Sequence, residues 1–273
     1  LEADVRSDPA VAGWVAEENA LIDAYLATLP GREWFRARMA ALYDYDRYGL
    51  PVHFGSRYFY TRNDGRQNQS VLYVRHRLNG TARPLLDPNS WSPDGATALA
   101  EWLPSADGRK LLYTVQDGGT DWRTVRVLNV DRGQHLPDEL HWIKFSTFAW
   151  ARDGSGFWYS RFPEPADGAT FQSTNLNQAV YFHRLGDPQS ADRLVYATPD
   201  RPALGHVAQI TDDGRWLVIS TREGTDDRRG VTVIDLRRPN APPIALVTAL
   251  TNRWELVGSD GTRLFFLTDQ DAP

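Results

Sequence analysis

Short apolar runs typical of β-strands recur five times after residue 54 of this 273-residue chain, and four of them follow an Asp-Gly pair. An Asp-Gly pair supplies the positive φ that a tight hairpin turn requires. The pairs are Asp107-Gly108, Asp153-Gly154, Asp213-Gly214 and Asp260-Gly261. The apolar runs are Tyr58-Phe59-Tyr60, Leu111-Leu112-Tyr113, Phe157-Trp158-Tyr159, Trp216-Leu217-Val218-Ile219 and Leu264-Phe265-Phe266-Leu267. Each of the first four runs precedes a polar loop and a further strand, which predicts a repeating antiparallel unit.

The repeat returns at roughly 45 to 60 residues, the period of a four-stranded β-propeller blade. A β-sandwich or an ordinary antiparallel barrel also has short strands and turns, but it does not require the same strand, turn and strand order to return. We therefore expect an all-β propeller, with four blades and the start of a fifth. The chain ends at Pro273, just past what we take as the first strand of the fifth repeat. A propeller buries its blades by closing a ring, so we expect the parent polypeptide to be longer.

Residues 8–43 follow a helical period instead. Asp8 is placed to cap a first helix, with Pro9 at the first helical position, and Pro30-Gly31 ends it before a second helix from Arg32. Apolar residues at three- and four-residue steps predict one apolar face on each helix. We therefore divide the chain into an N-terminal helical segment, residues 1–50, and a partial propeller, residues 51–273.

Composition excludes several classes of protein. Ten Trp and 41% hydrophobic residues are typical of a globular chain, and a net charge of -5 with interleaved signs gives no nucleic-acid footprint. No apolar run is long enough to span a membrane, and the absence of Cys excludes disulfides and thiolate chemistry. Because positive charge is almost all Arg and the chain begins at Leu1, we expect a bacterial protein with a processed or trimmed N-terminus, in the cytoplasm or the periplasm.

No residue pattern predicts a catalytic or metal centre within the chain. The Gly-x-Ser-x-Gly elbow of α/β-hydrolases is absent, and Ser155 and Ser259 lie in hairpin turns, where Ser is common. The six His have no metal-ligand spacing, and His206, before the Asp213-Gly214 turn, is the least settled of them. Acidic pairs such as Asp226-Asp227 are typical of a hydrated surface rather than of glycosidase carboxylates. We expect no catalytic residue, no metal and no cofactor here.

A series of short segments is spread over essentially the whole chain. They are Arg57-Tyr58-Phe59-Tyr60, residues 67–74, Leu86-Asp87-Pro88-Asn89, Thr120-Asp121-Trp122, Lys144-Phe145-Ser146, Ala149-Trp150, residues 174–178 and residues 211–215. No one segment is diagnostic, but in their order and spacing they resemble the prolyl oligopeptidase family of serine peptidases.

The resemblance implies a seven-bladed propeller that caps an α/β-hydrolase domain, with the helical segment packed on the hydrolase side. It implies hydrolysis of short proline-containing peptides after proline by a Ser-His-Asp triad that lies outside this chain. Two other interpretations stay open: a related oligopeptidase of the same clan with another specificity, and a free-standing propeller scaffold that binds a protein partner. The apolar helices favour the peptidase, because a scaffold does not need a segment that must dock elsewhere.

The resemblance also implies roles for particular residues. Phe145 matches a propeller Phe that lines the pocket for the substrate residue upstream of proline, two positions before it, although a buried strand Phe is an equal alternative. Gly205 and Ile234 match two further lining positions, and Gly205 is smaller than the apolar residue expected there. Asp121 matches an acidic residue at the domain interface, where we expect an ion pair with an Arg of the hydrolase domain.

Overall fold

The computed structural model describes Val5 and residues 8–272, in which two helices precede a series of antiparallel sheets. The helices are α1 (Pro9–Ala27) and α2 (Arg32–Tyr43). The side chain of Asp8 accepts hydrogen bonds from the backbone N–H groups of Ala10 at 2.8 Å and Val11 at 3.3 Å, which confirms the predicted cap. The predicted outer limits of the two segments, Leu1 and Pro273, lie outside the described residues.

Both helices expose their large apolar side chains. Neither contains a buried residue, although the sequence predicted an apolar face that needs a partner surface. The exposed side chains include Trp14, Leu21, Ile22, Tyr25, Trp34, Phe35, Met39 and Leu42. Within residues 8–272, no helix combines the length and the apolar character needed to cross a membrane.

The strands form five sheets that follow one another along the chain, and we call them blades 1 to 5. Blade 1 contains β1 (Arg47–Tyr48), β2 (Val52–Phe54), β3 (Arg57–Asn63), β4 (Val71–Arg75) and β5 (Arg83–Leu86). Blade 2 contains β6 (Ala98–Pro104), β7 (Lys110–Gln116), β8 (Arg123–Asn129) and β9 (Gln134–Ile143). Blade 3 contains β10 (Ala149–Trp150), β11 (Gly156–Arg161), β12 (Ala179–Arg184) and β13 (Arg193–Tyr196). Blade 4 contains β14 (Leu204–Ile210), β15 (Trp216–Glu223), β16 (Gly230–Asp235) and β17 (Ile244–Val247), and blade 5 contains β18 (Trp254–Ser259) and β19 (Leu264–Thr268).

The first strand of blade 1 is interrupted. Both β1 and β2 pair with β3, so together they occupy the place of a single first strand. Between them, a Cβ on Gly49 would lie 2.4 Å from Oγ1 of Thr61, a separation that only glycine permits. Strand pairing therefore begins at Arg47, before the predicted segment boundary at residue 50.

The Asp-Gly turns join the first and second strands of blades 2 to 5. The apolar runs of the sequence are thus second strands, whereas we expected the fifth run to be the first strand of its blade; blade 5 has two strands. The first strands were hard to recognise because β10 has only two residues and β14 carries Gly205, His206 and Gln209. Neither has the continuous apolar run that predicts a buried strand.

Each blade packs face to face against its neighbours through these second strands. Leu111 and Tyr113 contribute to the core between blades 1 and 2, whereas Leu112 contributes to the core between blades 2 and 3. In blade 4, Leu217 and Ile219 pack towards blade 3 and Val218 towards blade 5. Successive side chains of a strand point to opposite faces, so a strand buried on both faces reads as a continuous apolar run.

Hydrogen bonds also connect neighbouring blades at the Asp-Gly turns. A basic side chain from each of blades 1 to 4 donates to a backbone carbonyl in the turn of the next blade. The pairs are Arg57 to Asp107 at 3.4 Å, Lys110 to Gly154 at 3.2 Å, Arg152 to Asp213, and Arg215 to Gly261 at 2.6 Å. The repeat in sequence is therefore also a repeat of contacts between blades.

Candidate functional site

A cavity of about 490 Å³ opens between blades 3 and 4. The cavity lies at the start of β14 and the end of β15, where Gly205 pairs with Arg222. The Asp213-Gly214 turn is at the other end of these two strands. Four parts of the chain contribute to the walls of the cavity. They are the crossover from β9 to β10, the residues just before β12, strand β14, and the end of β15 with the loop that follows it. The lining includes Phe145, Phe162, Gln178, Gly205, His206 and Arg222.

Phe145 lies on the crossover between blades 2 and 3 and lines this cavity. Its side chain is 49% exposed, which rules out the alternative of a buried strand residue. Its backbone has φ of +50°, in the left-handed region that a residue with a Cβ rarely adopts. Such a conformation costs of order 1–3 kcal/mol and persists only where surrounding contacts determine it.

Gln178, just before β12, supplies those contacts from within the protein. Its side chain is buried, and Nε2 donates to the carbonyl of Lys144 at 3.0 Å and to that of Phe145 at 3.4 Å. Its Oε1 accepts the backbone N–H of His206 at 2.6 Å. A single amide thus joins the crossover to β14. Sequence reasoning included Gln178 in a family-like segment but gave it no role.

Gly205 lies beside this amide. A Cβ on Gly205 would lie 3.1 Å from Oε1 of Gln178, closer than side chains normally approach. The small residue that the sequence analysis found unexpected is therefore explained by the space that the Gln178 side chain occupies. Phe145 and Gly205, which are 60 positions apart in sequence, line the same cavity.

Lys144, next to Phe145 in sequence, anchors the crossover through its side chain. Its Nζ lies 3.7 Å from the centroid of the Trp122 ring and donates to Oδ1 of Asn175 at 3.0 Å. Burial lowers the pKa of Lys144, and the negative charge of Asp121 acts in the opposite direction. Asp121 itself is exposed on the loop between β7 and β8, so its carboxylate is accessible to a partner surface.

His206 is buried and held by two hydroxyl groups. Its Nδ1 lies 2.9 Å from Oγ1 of Thr221 and its Nε2 lies 3.1 Å from Oγ1 of Thr198. Burial lowers its pKa to about 4, so the ring is neutral near pH 7. With both nitrogens hydrogen-bonded inside the protein, His206 has a structural role in the cavity wall rather than that of a general base.

Arg222 gives the cavity a cationic side. It lines the cavity from the end of β15 and is partly exposed. Among the described residues its side chain forms no ion pair and no hydrogen bond. A guanidinium has five N–H donors and no acceptor, so Arg222 can bind a carbonyl or carboxylate oxygen of a ligand. The sequence analysis missed this wall, although Arg222-Glu223-Gly224-Thr225 has the composition of a turn.

The structure does not bring Ile234 to this cavity. Ile234 on β16 pairs with Leu217 on β15, and Leu217 pairs with Ile210 on β14. Ile210 is five residues along β14 from Gly205, so Ile234 lies at a level about 17 Å from that of Gly205 along the strands. Its side chain is 8% exposed and packs in the core between blades 3 and 4. We therefore leave Ile234 out of the site. The resemblance located it by sequence, but the direction of β16 carries it to the end with the Asp-Gly turns.

No group of three or more His, Cys, Asp or Glu side chains within the part of the chain that the structure describes could hold a metal ion. The cavity lining combines the exposed Phe145 ring and the Arg222 guanidinium with further polar side chains, among them Asn175, Ser220 and Arg229.

Comparison with known proteins shows which family this sequence matches. The model of the prolyl oligopeptidase N-terminal β-propeller domain matches residues 1–273. A prolyl endopeptidase of Elizabethkingia meningoseptica is 32% identical over 273 residues, which are all of this chain and 38% of that protein. Prolyl oligopeptidase ophP of Omphalotus olearius is 26% identical over 298 aligned residues, covering all of this chain and 40% of that protein. The chain thus spans well under half the length of these relatives.

Solved structures agree with the same architecture. A structure from a study of two prolyl endopeptidases and their inter-domain dynamics is 46% identical, has a TM-score of 0.76, and matches 99% of this chain and 38% of that one. Prolyl oligopeptidase B of Galerina marginata, bound to a 35-residue hydrolysis and macrocyclization substrate, has a TM-score of 0.84 over 98% of this chain and 40% of its own. At 24% identity, the latter likeness concerns the fold alone.

Proposed function

Since this chain belongs to the prolyl oligopeptidase family and spans its N-terminal β-propeller domain, we propose that it is the substrate-admitting part of a serine peptidase that cleaves short peptides after proline. The catalytic triad belongs to a C-terminal α/β-hydrolase domain in the remaining part of the parent protein. The propeller allows only short peptides to reach the active site, and it contributes one wall of the substrate site. No cofactor takes part in this reaction.

The observation that carries the proposal is the exposed Phe145 ring at the blade 3–4 cavity. The second-strand aromatics Phe59, Tyr113 and Phe157 are fully buried between blades. Phe145, by contrast, is half exposed and held in a strained backbone conformation. A strained backbone that presents an aromatic ring to a cavity supports a functional contact at that ring. An apolar side chain upstream of proline fits this surface.

Arg222 supports a peptide as the ligand. The apolar part of a peptide residue covers Phe145, and its backbone carbonyl or a terminal carboxylate pairs with the Arg222 guanidinium, which lines the same cavity. The cavity joins the apolar Phe145 ring to polar side chains such as Arg222 and Ser220, a combination that also occurs in small-ligand sites. Gly205 contributes to this wall by leaving the Gln178 amide in place.

The partner of the propeller is the hydrolase domain of the same polypeptide. Asp121 is exposed on the loop between β7 and β8 and is available to pair with an Arg of that domain. The apolar side chains of α1 and α2, including Trp14 and Phe35, are exposed and supply a further docking surface. We place the parent protein in the cytoplasm or periplasm of a bacterium.

The proposal is tested with the full-length protein and a set of chromogenic peptides that differ only at the cleaved residue. We expect hydrolysis of the peptide with proline and little hydrolysis of matched peptides with Ala or Arg. Preference for Arg would replace the proposal with the related oligopeptidase of another specificity. Absence of hydrolysis for every peptide, in a protein that contains an intact triad, would contradict both.

A further inference from the structure

The strained backbone of Phe145 depends on contacts from outside its own segment. Phe145 on the crossover and Trp142 near the end of β9 both have positive φ, of 50° and 64°, so the chain departs twice from favoured backbone geometry within four residues. The carbonyl of Trp142 accepts the N–H of Phe162 at 3.0 Å. The carbonyls of Lys144 and Phe145 instead face the side-chain amide of Gln178.

The hydrogen bonds made by the Gln178 side chain require a neutral amide at position 178. Its Nε2 donates to two carbonyls of the crossover while its Oε1 accepts the N–H of His206 on β14. A carboxylate of the same size can accept from His206 but cannot donate to a carbonyl, and an apolar side chain can do neither. Gln178 is 3% exposed, so water cannot replace a contact that is lost.

Gly205 completes the arrangement. A Cβ at position 205 would lie 3.1 Å from Oε1 of Gln178, so a larger residue there would press on the amide. Three residues from separate segments therefore determine the position of one aromatic ring: Phe145 itself, the amide that holds its backbone, and the glycine that admits the amide.

We propose that Gln178 is a positioning residue that directs the Phe145 ring into the cavity and thereby sets the preference for a large side chain upstream of proline. This inference rests on the proposed function, because it assumes that Phe145 contacts a peptide. Gln178 acts through the backbone carbonyls of Lys144 and Phe145.

The experiment compares two variants of the full-length protein, Gln178→Met and Gln178→Glu. Each is assayed on two proline peptides, one with a large apolar residue upstream of proline and one with glycine there. We expect kcat/KM for the first peptide to fall about 3- to 10-fold, mainly through KM, because one or two hydrogen bonds are lost. The glycine peptide should change less than about 2-fold, since it makes no contact with the ring. Gln178→Glu keeps the acceptor for His206 and serves as the second test if Gln178→Met does not fold.

Gln134→Met, at an exposed site at the start of β9, is the matched control and should leave both peptides unchanged. A double-mutant cycle with Phe145→Ala isolates the mechanism. In the Phe145→Ala background, Gln178→Met should have no further peptide-selective effect. An equal loss for both peptides, or a selective loss that persists without the ring, overturns the inference.

The same cycle separates this inference from the function on which it rests. If Phe145→Ala lowers activity selectively and Gln178→Met does not, only the positioning role of Gln178 is overturned. If Phe145→Ala is itself without selective effect, the lining role of Phe145 fails and the inference fails with it.

Discussion

Nε2 of His183 lies 2.9 Å from Oδ1 of Asp138, a contact that joins blade 3 to blade 2 although their sheets share no strand pairing. The other ring nitrogen, Nδ1, lies 2.7 Å from Oδ1 of Asp192. The side chains of His183 and both carboxylates are buried to at least 99%. Ionised carboxylates only accept hydrogen bonds, so the ring satisfies both when it carries a proton on each nitrogen. The Tyr159 hydroxyl donates to the second oxygen of Asp192 at 2.6 Å.

This arrangement predicts that the protein loses stability in alkaline solution. Burial alone lowers the pKa of His183, but hydrogen bonds and attraction to Asp138 and Asp192 outweigh it and raise the pKa from 6.5 to about 9. Between these values the folded state binds more protons than the unfolded state, so the free energy of unfolding falls as pH rises. We expect a loss of about 2 to 3 kcal/mol from pH 6 to pH 9.

Urea unfolding at both pH values measures the effect. His183→Gln should be less stable at pH 6 by about 3 kcal/mol and should lose most of the pH dependence, because it leaves buried carboxylates without a cationic partner. His76→Gln, at an exposed site, is the control and should behave like the unsubstituted protein. Equal or greater stability at pH 9 for the unsubstituted protein would show that the ring is not a cation in this network.

The hydrogen bonds from basic side chains to the Asp-Gly turns of the next blade predict a small stabilising contribution at each contact. Lys110→Met keeps the aliphatic stem but removes the Nζ that donates to the Gly154 carbonyl at 3.2 Å. We expect a loss of about 1 kcal/mol in the free energy of unfolding. Arg109→Met, next in sequence and exposed, should change it by less than about 0.5 kcal/mol. Identical effects of the two substitutions would mean that this contact does not stabilise the join between blades 2 and 3.

Phe145→Ala in the full-length enzyme should raise KM more than it lowers kcat, because the ring contacts substrate in both the ground and the transition state. The loss in transition-state binding should be about 1 to 3 kcal/mol for peptides with a large apolar residue upstream of proline. Short substrates that lack this residue should be nearly unaffected. An equal loss for both kinds of peptide, together with a large fall in Tm, would assign Phe145 to the fold rather than to the substrate site.

The isolated 273-residue chain should not hydrolyse a proline-containing chromogenic peptide, because none of its described residues forms an activated nucleophile. Oγ of Ser155, for example, donates to Oδ1 of Asp153 at 2.7 Å within the hairpin turn. The measurement is single-turnover and steady-state hydrolysis by a preparation free of host peptidases. Turnover that co-purifies with the chain through orthogonal columns would place a nucleophile within it.

The sequence by itself determines the local structure: the helix cap, the turns and the strands. The cap at Asp8, the break between the helices at Pro30-Gly31 and the Asp-Gly turns each depend on a few neighbouring residues, so the sequence predicts the two helices and the blade repeat. The first helix ends at Ala27, three residues before the predicted end at Pro30. The continuous apolar runs predicted strands buried on both faces for the same reason. The family resemblance also follows from the order of short segments along the chain.

The tertiary structure decided the site. Phe145, Gln178 and Gly205 belong to three segments, and only the packing of blade 3 against blade 4 brings them together. Strand direction and register within blade 4 carry Ile234 to the opposite end of that blade. The packing of blade 2 against blade 3 places His183 beside Asp138. Turns and caps are determined by bonds within a few residues, whereas a cavity wall depends on strand direction and register between distant segments, which sequence spacing does not record.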